Sequence, residues 1–322
     1  MASRSSADRF DLVVIGGGPA GLNAALVLAR ARRSVVVLDS GAPRNAASHA
    51  MHGFLSRDGL DPVELRRLGR AELAEYPSAQ LVETKVVDAA AVEAGFRVSD
   101  GEGRSFVGRK LLLALGVRDE LPRVDGFDAV YGQAVFHCQY CDGWEVRNQP
   151  LAALGRGPGA MRLALLLLDW SADVVLCTDG PTELSPAEVA HLASQGVQVR
   201  EDGLARLEGR SGQLERIVFD DGSALARRAL FFHGAARVDP GLPAALGCTL
   251  TEAGRIEVDE AARTSVGGVY AAGDAARRPG QHPASQVIVA AASGALAAIA
   301  IHQDLMQEDV GVTPALPRPA DP

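Results

Sequence analysis

Two stretches of the chain share one pattern of apolar positions: a short apolar strand, a glycine-rich turn, an apolar helix and a second short strand. In the first stretch these elements are predicted at residues 11–15, 22–31 and 34–38. In the second stretch they are predicted at residues 151–154, 160–170 and 174–177. Apolar strands that alternate with helices are typical of parallel sheets covered on both faces. The pattern therefore predicts an α/β fold with two Rossmann-like, three-layer nucleotide-binding domains.

The first of these turns carries glycine at the three positions that a dinucleotide-binding turn requires. Gly16 permits the tight turn, Gly18 lets the backbone approach a pyrophosphate, and Gly21 lets the helix pack against the strand. The helix N-terminus offers free N–H groups to phosphate. Asp39 ends the second strand and can accept hydrogen bonds from an adenosine ribose. The first unit is therefore predicted to bind a dinucleotide.

The second turn keeps the pattern with alanine in place of the third glycine, at Gly155, Gly157, Gly159 and Ala160. The strand that follows it ends at Cys177, and no Arg or Lys occurs from there until Arg200. Asp179 would repel a 2′-phosphate but could accept an NAD ribose. Two interpretations stay open for this unit: a nicotinamide site, and a retained fold that no longer binds a nucleotide.

A C-x-x-C motif lies between the two turns, at Cys138 and Cys141. Two such thiols can close into a disulfide and reopen. One thiolate attacks a partner disulfide, and the other thiol resolves the mixed disulfide. Zinc would need about four ligands, and no second C-x-x-C or close His pair accompanies this one, so redox chemistry is favoured. Asp142 is a candidate acid or base beside the motif. His137 could deprotonate an incoming thiol, or it could be a plain loop residue.

Other single residues receive structural predictions. The two remaining cysteines, Cys177 and Cys248, are predicted to fill core positions. Trp144 is predicted to pack around the dithiol. His49 and His52 are predicted to lie in a loop near a bound cofactor or substrate, because no carboxylate or cysteine partner for a metal is obvious. The pairs Arg32-Arg33 and Arg66-Arg67 are predicted to be solvated helix charges.

A third apolar strand, at residues 268–272, leads into Gly273 and Asp274, and a helix is predicted at 287–303. Gly273 would let the backbone approach a ligand, and Asp274 can accept a hydroxyl group. The proline-rich tail at 313–322 is predicted to be loose.

Composition narrows the function further. The chain of 322 residues is long enough for about two domains. Its formal net charge of −8 gives nucleic-acid binding no electrostatic support. The first apolar run leads straight into a glycine turn, and the long apolar stretch at 287–301 suits a buried helix. We therefore predict no membrane association and a cytoplasmic protein.

Taken in order, four landmarks resemble the low-molecular-weight thioredoxin reductase family of flavoproteins over roughly residues 10–305. These landmarks are the first glycine turn, Leu113-Ala114-Leu115-Gly116, C-x-x-C-D-G, and the A-A-G-D that ends at Asp274. The resemblance implies an FAD domain at 1–117 plus 246–322, an inserted nicotinamide-type domain at 118–245, and a homodimer.

The resemblance also implies a role for each site residue. Cys141 would face the flavin as the charge-transfer thiolate, Cys138 would exchange with substrate, and Asp142 would donate or accept a proton. Arg44 and Asn45 are assigned to the flavin, with a surface-loop role as the alternative. The residues predicted to bind FAD are Gly16, Gly18, Pro19, Ala20, Gly21, Asp39, Ser40, Arg44, Asn45, Gly116, Gly273, Asp274, Gln286 and Val287.

The chain departs from NADPH-dependent members because it lacks the basic cluster after its second inserted strand. The segments at 39–45, 52–59 and 138–145 look closer to dithiol oxidases of the gliotoxin and holomycin type, which use FAD and oxygen and do not depend on NADPH. The leading prediction is therefore an FAD-dependent dithiol oxidase acting on a small molecule, with NAD(P)H use in doubt. The alternatives are a disulfide reductase of a thioredoxin-like protein, driven by NAD(P)H or ferredoxin, and a non-enzymatic flavin-binding module.

Overall fold

A computed structural model describes residues 8–281 and 284–311. The proline-rich tail at 313–322 lies outside the described residues. The chain forms two compact units. Unit 1 contains the described residues up to Pro43, then Val63–Arg118, then those from Arg237 onward. Unit 2 contains Arg44–Pro62 and Asp119–Ala236. The FAD and nicotinamide-type domain boundaries stated above stay a prediction.

The strands are β1 Asp8–Ile15, β2 Val35–Asp39, β3 Ala79–Glu83, β4 Val86–Val92, β5 Gly95–Asp100, β6 Ser105–Leu113, β7 Arg118–Asp119, β8 Val135–Phe136, β9 Leu151–Leu154, β10 Val174–Cys177, β11 Gln198–Arg200, β12 Leu204–Arg210, β13 Gln213–Phe219, β14 Ala224–Ala226, β15 Ala229–Phe232, β16 Ala236–Arg237, β17 Ile256–Glu257, β18 Val269–Ala271 and β19 Ala276–Arg277. The helices are α1 Pro19–Arg30, α2 Pro62–Ala74, α3 Phe127–Val130, α4 Gln139–Asp142, α5 Gly157–Leu167, α6 Pro186–Ser194, α7 Gly241–Leu246 and α8 Val287–Asp309, with a 3₁₀ turn at Gly273–Ala275.

Unit 1 is built on a sheet in the order β3-β2-β1-β6-β5-β4, and β18 pairs with the second half of β6. The pairs β1–β2, β1–β6, β2–β3 and β6–β18 are parallel, whereas β4 and β5 are antiparallel additions. Ile15 lies level with Leu38 on one side and with Leu113 on the other. The carboxyl ends of these three strands therefore meet at one edge, where ligands bind in open α/β sheets.

Helices α1 and α8 pack closely in unit 1. A Cβ atom on Gly294 would lie 2.0 Å from the Ala20 carbonyl oxygen, so only glycine allows this approach. Helix α1 begins at Pro19, ahead of the predicted start, because proline suits the first helical position. Helix α8 continues past the predicted end to Asp309.

Helix α8 is long and apolar enough to cross a membrane by length and composition. The prediction of a buried helix holds for one of its faces only. Ala297, Ala298 and Ile301 are buried in the core of unit 1, whereas Leu296 and Ile299 are 60% and 49% exposed. The helix therefore belongs to the core and also presents an uncovered apolar face.

Unit 2 contains a parallel sheet in the order β11-β10-β9-β15-β8 and a smaller antiparallel sheet of β12, β13 and β14. Strands β9 and β10 have the predicted bounds, and α5 begins at Gly157. The core prediction for the two other cysteines is confirmed, since both are buried and unpaired: Cys177 and Cys248. Burial raises the pKa of Cys177 to about 12, so this thiol stays protonated.

Candidate active site

Cys138 and Cys141 form a disulfide, with their Cα atoms 5.3 Å apart. The short edge strand β8 leads to this pair, and the single turn of α4 connects its two members. The Cys138 carbonyl oxygen accepts hydrogen bonds from the N–H groups of Cys141 and Asp142, both at 3.2 Å. One helical turn therefore holds both sulfur atoms in bonding range, as the C-x-x-C spacing predicts.

Asp142 sits directly after the second cysteine in a partly buried position. Burial and, to a smaller extent, the nearby negative charge of Glu145 raise the pKa of its carboxyl group to about 7, with His52 acting in the opposite direction. A carboxyl group that titrates near neutral pH can both give and take a proton in the working range. The predicted acid–base role of this residue is therefore chemically available.

His137 precedes the disulfide. The surrounding protein and the positive charge of Arg44 lower its pKa to about 4, while Asp119 opposes them. The imidazole is therefore neutral at pH 7 and can accept a proton or a hydrogen bond.

Arg44 lies in the same unit as the disulfide. It donates from Nε and from a terminal nitrogen to the two carboxylate oxygens of Asp119, at 2.8 and 2.5 Å, and Tyr131 donates to the same carboxylate at 2.9 Å. Burial alone would raise the pKa of Asp119, but these partners hold it below its ordinary value. Asn45 also belongs to this unit. A contact of either residue with flavin stays a prediction.

The prediction that Trp144 packs around the dithiol is wrong. Its ring is 65% exposed and is covered on one face by the Arg147 guanidinium at 4.0 Å. Trp170 supplies the packing instead, since its ring meets Tyr140 edge-on at 5.7 Å. A Cβ atom on Gly143 would lie 2.9 Å from the same ring, which explains the glycine after Asp142. Sequence spacing gave no sign of this partner.

The first glycine turn fits a dinucleotide by its shape. A Cβ atom on Gly16 or Gly21 would collide with backbone, whereas one on Gly18 would meet nothing within 4 Å. Helix α1 follows with Pro19 at its start, no acidic residue in its first turn and no side-chain cap. Its first N–H groups and the open space beside Gly18 therefore suit a pyrophosphate.

Asp39 closes this site at the end of β2, next to Gly17, whose N–H donates to the carboxylate. Arg66 and Arg70 of α2 both donate to its Oδ2 atom, at 2.9 and 2.5 Å. Burial alone would raise the pKa of Asp39, but the N–H and the two guanidinium groups hold it below its ordinary value. The interpretation of Arg66 as a solvated charge is therefore wrong, although Arg67 is 62% exposed.

The two residues of the Arg32-Arg33 pair also differ in exposure, since Arg32 is exposed and Arg33 is not. Arg33 is mostly buried and forms an ion pair with Asp309 at 2.6 Å, so it is not a solvated charge. The sequence could not show that α8 would end beside it.

The A-A-G-D segment reaches the same site in unit 1. The Gly273 N–H donates to Ser293 Oγ of α8 at 2.8 Å, and its φ of +73° favours glycine. Asp274 follows in the 3₁₀ turn, and Gln286 is the residue that caps α8. The predicted FAD residues that unit 1 contains are Gly16, Gly18, Pro19, Ala20, Gly21, Asp39, Ser40, Gly116, Gly273, Asp274, Gln286 and Val287. Together they fit an FAD along the strand ends.

Two side chains of the protein itself border the second glycine turn. A Cβ atom on Gly159 would lie 2.3 Å from His233 Nε2, and one on Gly157 would lie 3.5 Å from the Glu183 carboxylate. Arg156 extends from the turn and donates to the carbonyl oxygens of Thr178 and Asp179. A nucleotide pyrophosphate would therefore meet an imidazole and a carboxylate where the first turn offers open space.

The Asp179 carboxylate also has a partner, because it accepts the Leu204 N–H at 2.8 Å. Among the described residues, no group of three or more His, Cys, Asp or Glu side chains could hold a metal ion.

The amino-acid sequence is similar to a known protein family and to several named proteins. Residues 10–294 match the model of the family described as pyridine nucleotide-disulphide oxidoreductase. A protein named thioredoxin reductase tcpT from Claviceps purpurea is 34% identical, over 84% of this chain and 88% of its own length. Thioredoxin reductase sirT from Leptosphaeria maculans is 30% identical, over 94% and 96%.

Solved structures agree with this. The structure of HlmI is 42% identical, with a TM-score of 0.86 and coverage of 94% of both chains. An oxidoreductase from Agrobacterium tumefaciens is 35% identical, with a TM-score of 0.85, over 92% of this chain and 99% of its own.

Proposed function

The chain belongs to the pyridine nucleotide-disulphide oxidoreductase family as a thioredoxin reductase-like, flavin-dependent disulfide oxidoreductase, and we propose that it works as a dithiol oxidase. In this proposal the Cys138–Cys141 disulfide oxidises a small-molecule dithiol, and oxygen is the final electron acceptor. The same residues could act in the reverse direction, as a disulfide reductase of a thioredoxin-like protein. The two functions differ in the direction of electron flow: from a dithiol substrate to the flavin in the oxidase, and from the flavin to a disulfide substrate in the reductase.

The contrast between the two glycine turns carries the proposal. Beside Gly18 there is open space for a pyrophosphate, while the Glu183 carboxylate and the His233 ring lie over Gly157 and Gly159. A carboxylate at this position disfavours an anionic nucleotide. An open first turn and a second turn bordered by a carboxylate and an imidazole support electron entry from a thiol substrate.

The chemistry follows from the disulfide and its neighbours. A substrate thiolate attacks the sulfur of Cys138, the bond to Cys141 breaks, and Cys141 leaves as a thiolate. The second substrate thiol then attacks the mixed disulfide, which closes the product disulfide and leaves Cys138 reduced. Of the two thiol protons, one ends on Cys138 and the other passes to Asp142, while neutral His137 can accept a hydrogen bond from an incoming thiol.

FAD, when bound, supplies the two-electron chemistry that returns the cysteine pair to its disulfide and passes the electrons to oxygen. The first glycine turn, the N-terminus of α1, Asp39 and the Gly273-Asp274 turn are the groups that would hold it.

The exposed face of α8 supports a homodimer. Five exposed positions of α8 and the residue that follows the helix are spaced at alternating intervals of four and three residues, and we call this set the α8 stripe: Ala292, Leu296, Ile299, Gln303, Met306 and Val310. This is the spacing of a helix–helix seam. A membrane surface fits less well, because α8 contains acidic residues but no Lys or Arg. We place this homodimer in the cytoplasm.

The decisive experiment is an anaerobic titration of the purified FAD-loaded protein, followed by its absorbance. A small dithiol such as dithiothreitol should bleach the flavin, air should restore its colour with release of hydrogen peroxide, and NADH or NADPH should bleach it at least about 100-fold more slowly. Cys141→Ser should abolish bleaching by dithiol. Cys248→Ser, which changes a buried thiol of unit 1, is the control and should bleach normally.

Rapid reduction by NADH, NADPH or reduced ferredoxin would instead establish the reductase, which the names of the fungal relatives favour. Normal bleaching of Cys141→Ser would refute the assigned thiol relay. The absence of turnover with any dithiol or disulfide would point to the non-enzymatic module.

A further inference from the structure

His52 lies in a short loop that is closed on itself inside unit 2. The Met51 N–H donates to the Leu60 carbonyl oxygen and the Gly59 N–H donates to the Met51 carbonyl oxygen, both at 2.9 Å. The Met51 side chain is buried, which anchors the loop. The position of His52 is therefore set by backbone bonds and packing as well as by its own contacts.

The imidazole of His52 lies between two carboxylates. Its Nδ1 atom is 3.5 Å from Asp58 Oδ2, and its Nε2 atom is 3.5 Å from Glu145 Oε1. The Gly53 N–H donates to the other oxygen of Asp58 at 2.8 Å, which orients that carboxylate. An imidazole with an acceptor at each nitrogen can carry a proton on both, because each N–H then has a partner.

Glu145 connects this loop to the disulfide, since it follows Asp142 by three residues. Three titratable groups interact electrostatically with Asp142: Glu145, His52 and Tyr131. The first is negative, the second is positive when protonated, and Tyr131 is neutral because burial and the Asp119 charge raise its pKa. The charge balance at Asp142 is therefore set by the pair of His52 and Glu145.

We propose that His52 is a positioning residue for Asp142: held between Asp58 and Glu145, it offsets the Glu145 charge and keeps the Asp142 proton exchangeable. The inference rests on the proposed function. In the oxidation of one dithiol by the Cys138–Cys141 disulfide, two thiol protons leave the substrate. One ends on Cys138, and the other passes to Asp142 while Cys141 remains a thiolate.

The test is the pH dependence of a single anaerobic turnover of the FAD-loaded protein with dithiothreitol, between pH 5 and 9. Two readouts are taken from each sample: flavin absorbance, and the number of alkylated thiols at Cys138 and Cys141 after an acid quench. The midpoint is the pH at which the rate of reduction is half its maximum. The ionisation of dithiothreitol is the same for all variants, so a difference between the midpoints of two variants arises from the protein.

His52→Gln keeps a polar side chain but cannot carry the positive charge of a protonated imidazole, so the midpoint should rise by about half a pH unit or more. The rate at pH 6 should then fall about threefold. Glu145→Gln should move the midpoint in the opposite direction, and the double variant should return close to the wild-type value. His191→Gln, which changes an exposed histidine on α6 of the same unit, is the control and should leave the midpoint unchanged.

The inference is overturned if His52→Gln and Glu145→Gln leave the midpoint in place, or if both shift it in the same direction. A loss of folding would appear in the thermal transition of each variant and not as opposite midpoint shifts. If dithiothreitol reduces the protein at no pH, the proposed function fails. If dithiothreitol reduces the protein but the midpoints of the variants do not move, the proposed function stands and only the positioning role of His52 is refuted.

Discussion

At the scale of single residues, Asp142 is held in an environment that opposes its charge. Burial raises its pKa from 3.8 to about 7, so the folded protein retains this proton over a range in which the unfolded chain releases it. The contribution of Asp142 to stability is therefore lost progressively as pH rises from about 4 to about 7. A base beside the disulfide is obtained at the expense of folding stability at neutral pH.

Asp142→Asn should relieve this effect. We expect the melting temperature to rise by about 5 °C or more at pH 8 and to change little at pH 4, because only the ionised carboxylate is disfavoured. Thermal denaturation of the variant at both pH values measures this. Asp169→Asn, an exposed acid of the same unit, should change neither. An equal rise at both pH values would show that the carboxylate charge is not the cause.

At the scale of elements, the turn between β1 and α1 separates two kinds of glycine. Gly21 is needed for folding, because a Cβ atom there would lie 1.9 Å from the Gly16 carbonyl oxygen. Gly18 adopts an ordinary extended conformation with φ of −77° and has free space beside it, so the fold itself does not require glycine there. The requirement at Gly18 comes from the ligand.

Gly18→Ala should therefore weaken FAD binding by about tenfold or more, while the melting temperature of the apoprotein stays within a few degrees. Gly21→Ala should lower the apoprotein's stability by about 1–3 kcal/mol. FAD affinity from fluorescence titration and apoprotein melting distinguish the two effects. Gly267→Ala, also beside open space, is the control. Normal FAD affinity in Gly18→Ala would remove the assignment of this turn to the pyrophosphate.

At the scale of the whole molecule, the proposed homodimer rests on the α8 stripe. A two-fold axis that meets the exposed face of α8 between Ile299 and Gln303 would place Leu296 opposite Met306 and Ala292 opposite Val310 of the other copy. This antiparallel arrangement also keeps apart the acidic helix ends, which contain Glu308 and Asp309.

The double substitution of Leu296→Glu with Ile299→Glu should therefore produce a monomer, because four carboxylates would enter one apolar seam. Light scattering after gel filtration gives the mass directly. Val87→Glu also places an acid at an exposed apolar position and should leave the dimer intact. A wild-type protein that is already monomeric at micromolar concentration, or a dimeric double variant, would contradict the seam.

Prediction from the sequence succeeded where the decisive contacts are local. The strands at 151–154 and 174–177 have their predicted bounds, and the disulfide follows from the spacing of Cys138 and Cys141. Prediction failed for Arg66, because its partner Asp39 comes from another part of the chain, and for Trp144, because Trp170 packs against Tyr140 of the C-x-x-C motif instead. An aromatic or charged residue at helical spacing has the same local pattern whether its partner is solvent or a distant side chain.

The sequence by itself determined two βαβ units, the glycine positions of their turns and the redox pair between them, because each depends on backbone geometry within a few residues. Tertiary structure alone decided that Arg66 and Arg70 reach Asp39, that the loop with His52 joins the disulfide unit, and that Glu183 and His233 border the second turn. The physical reason is that side-chain charge and volume act across distances of a few ångströms. Packing brings distant segments within that range, and no local periodicity records it.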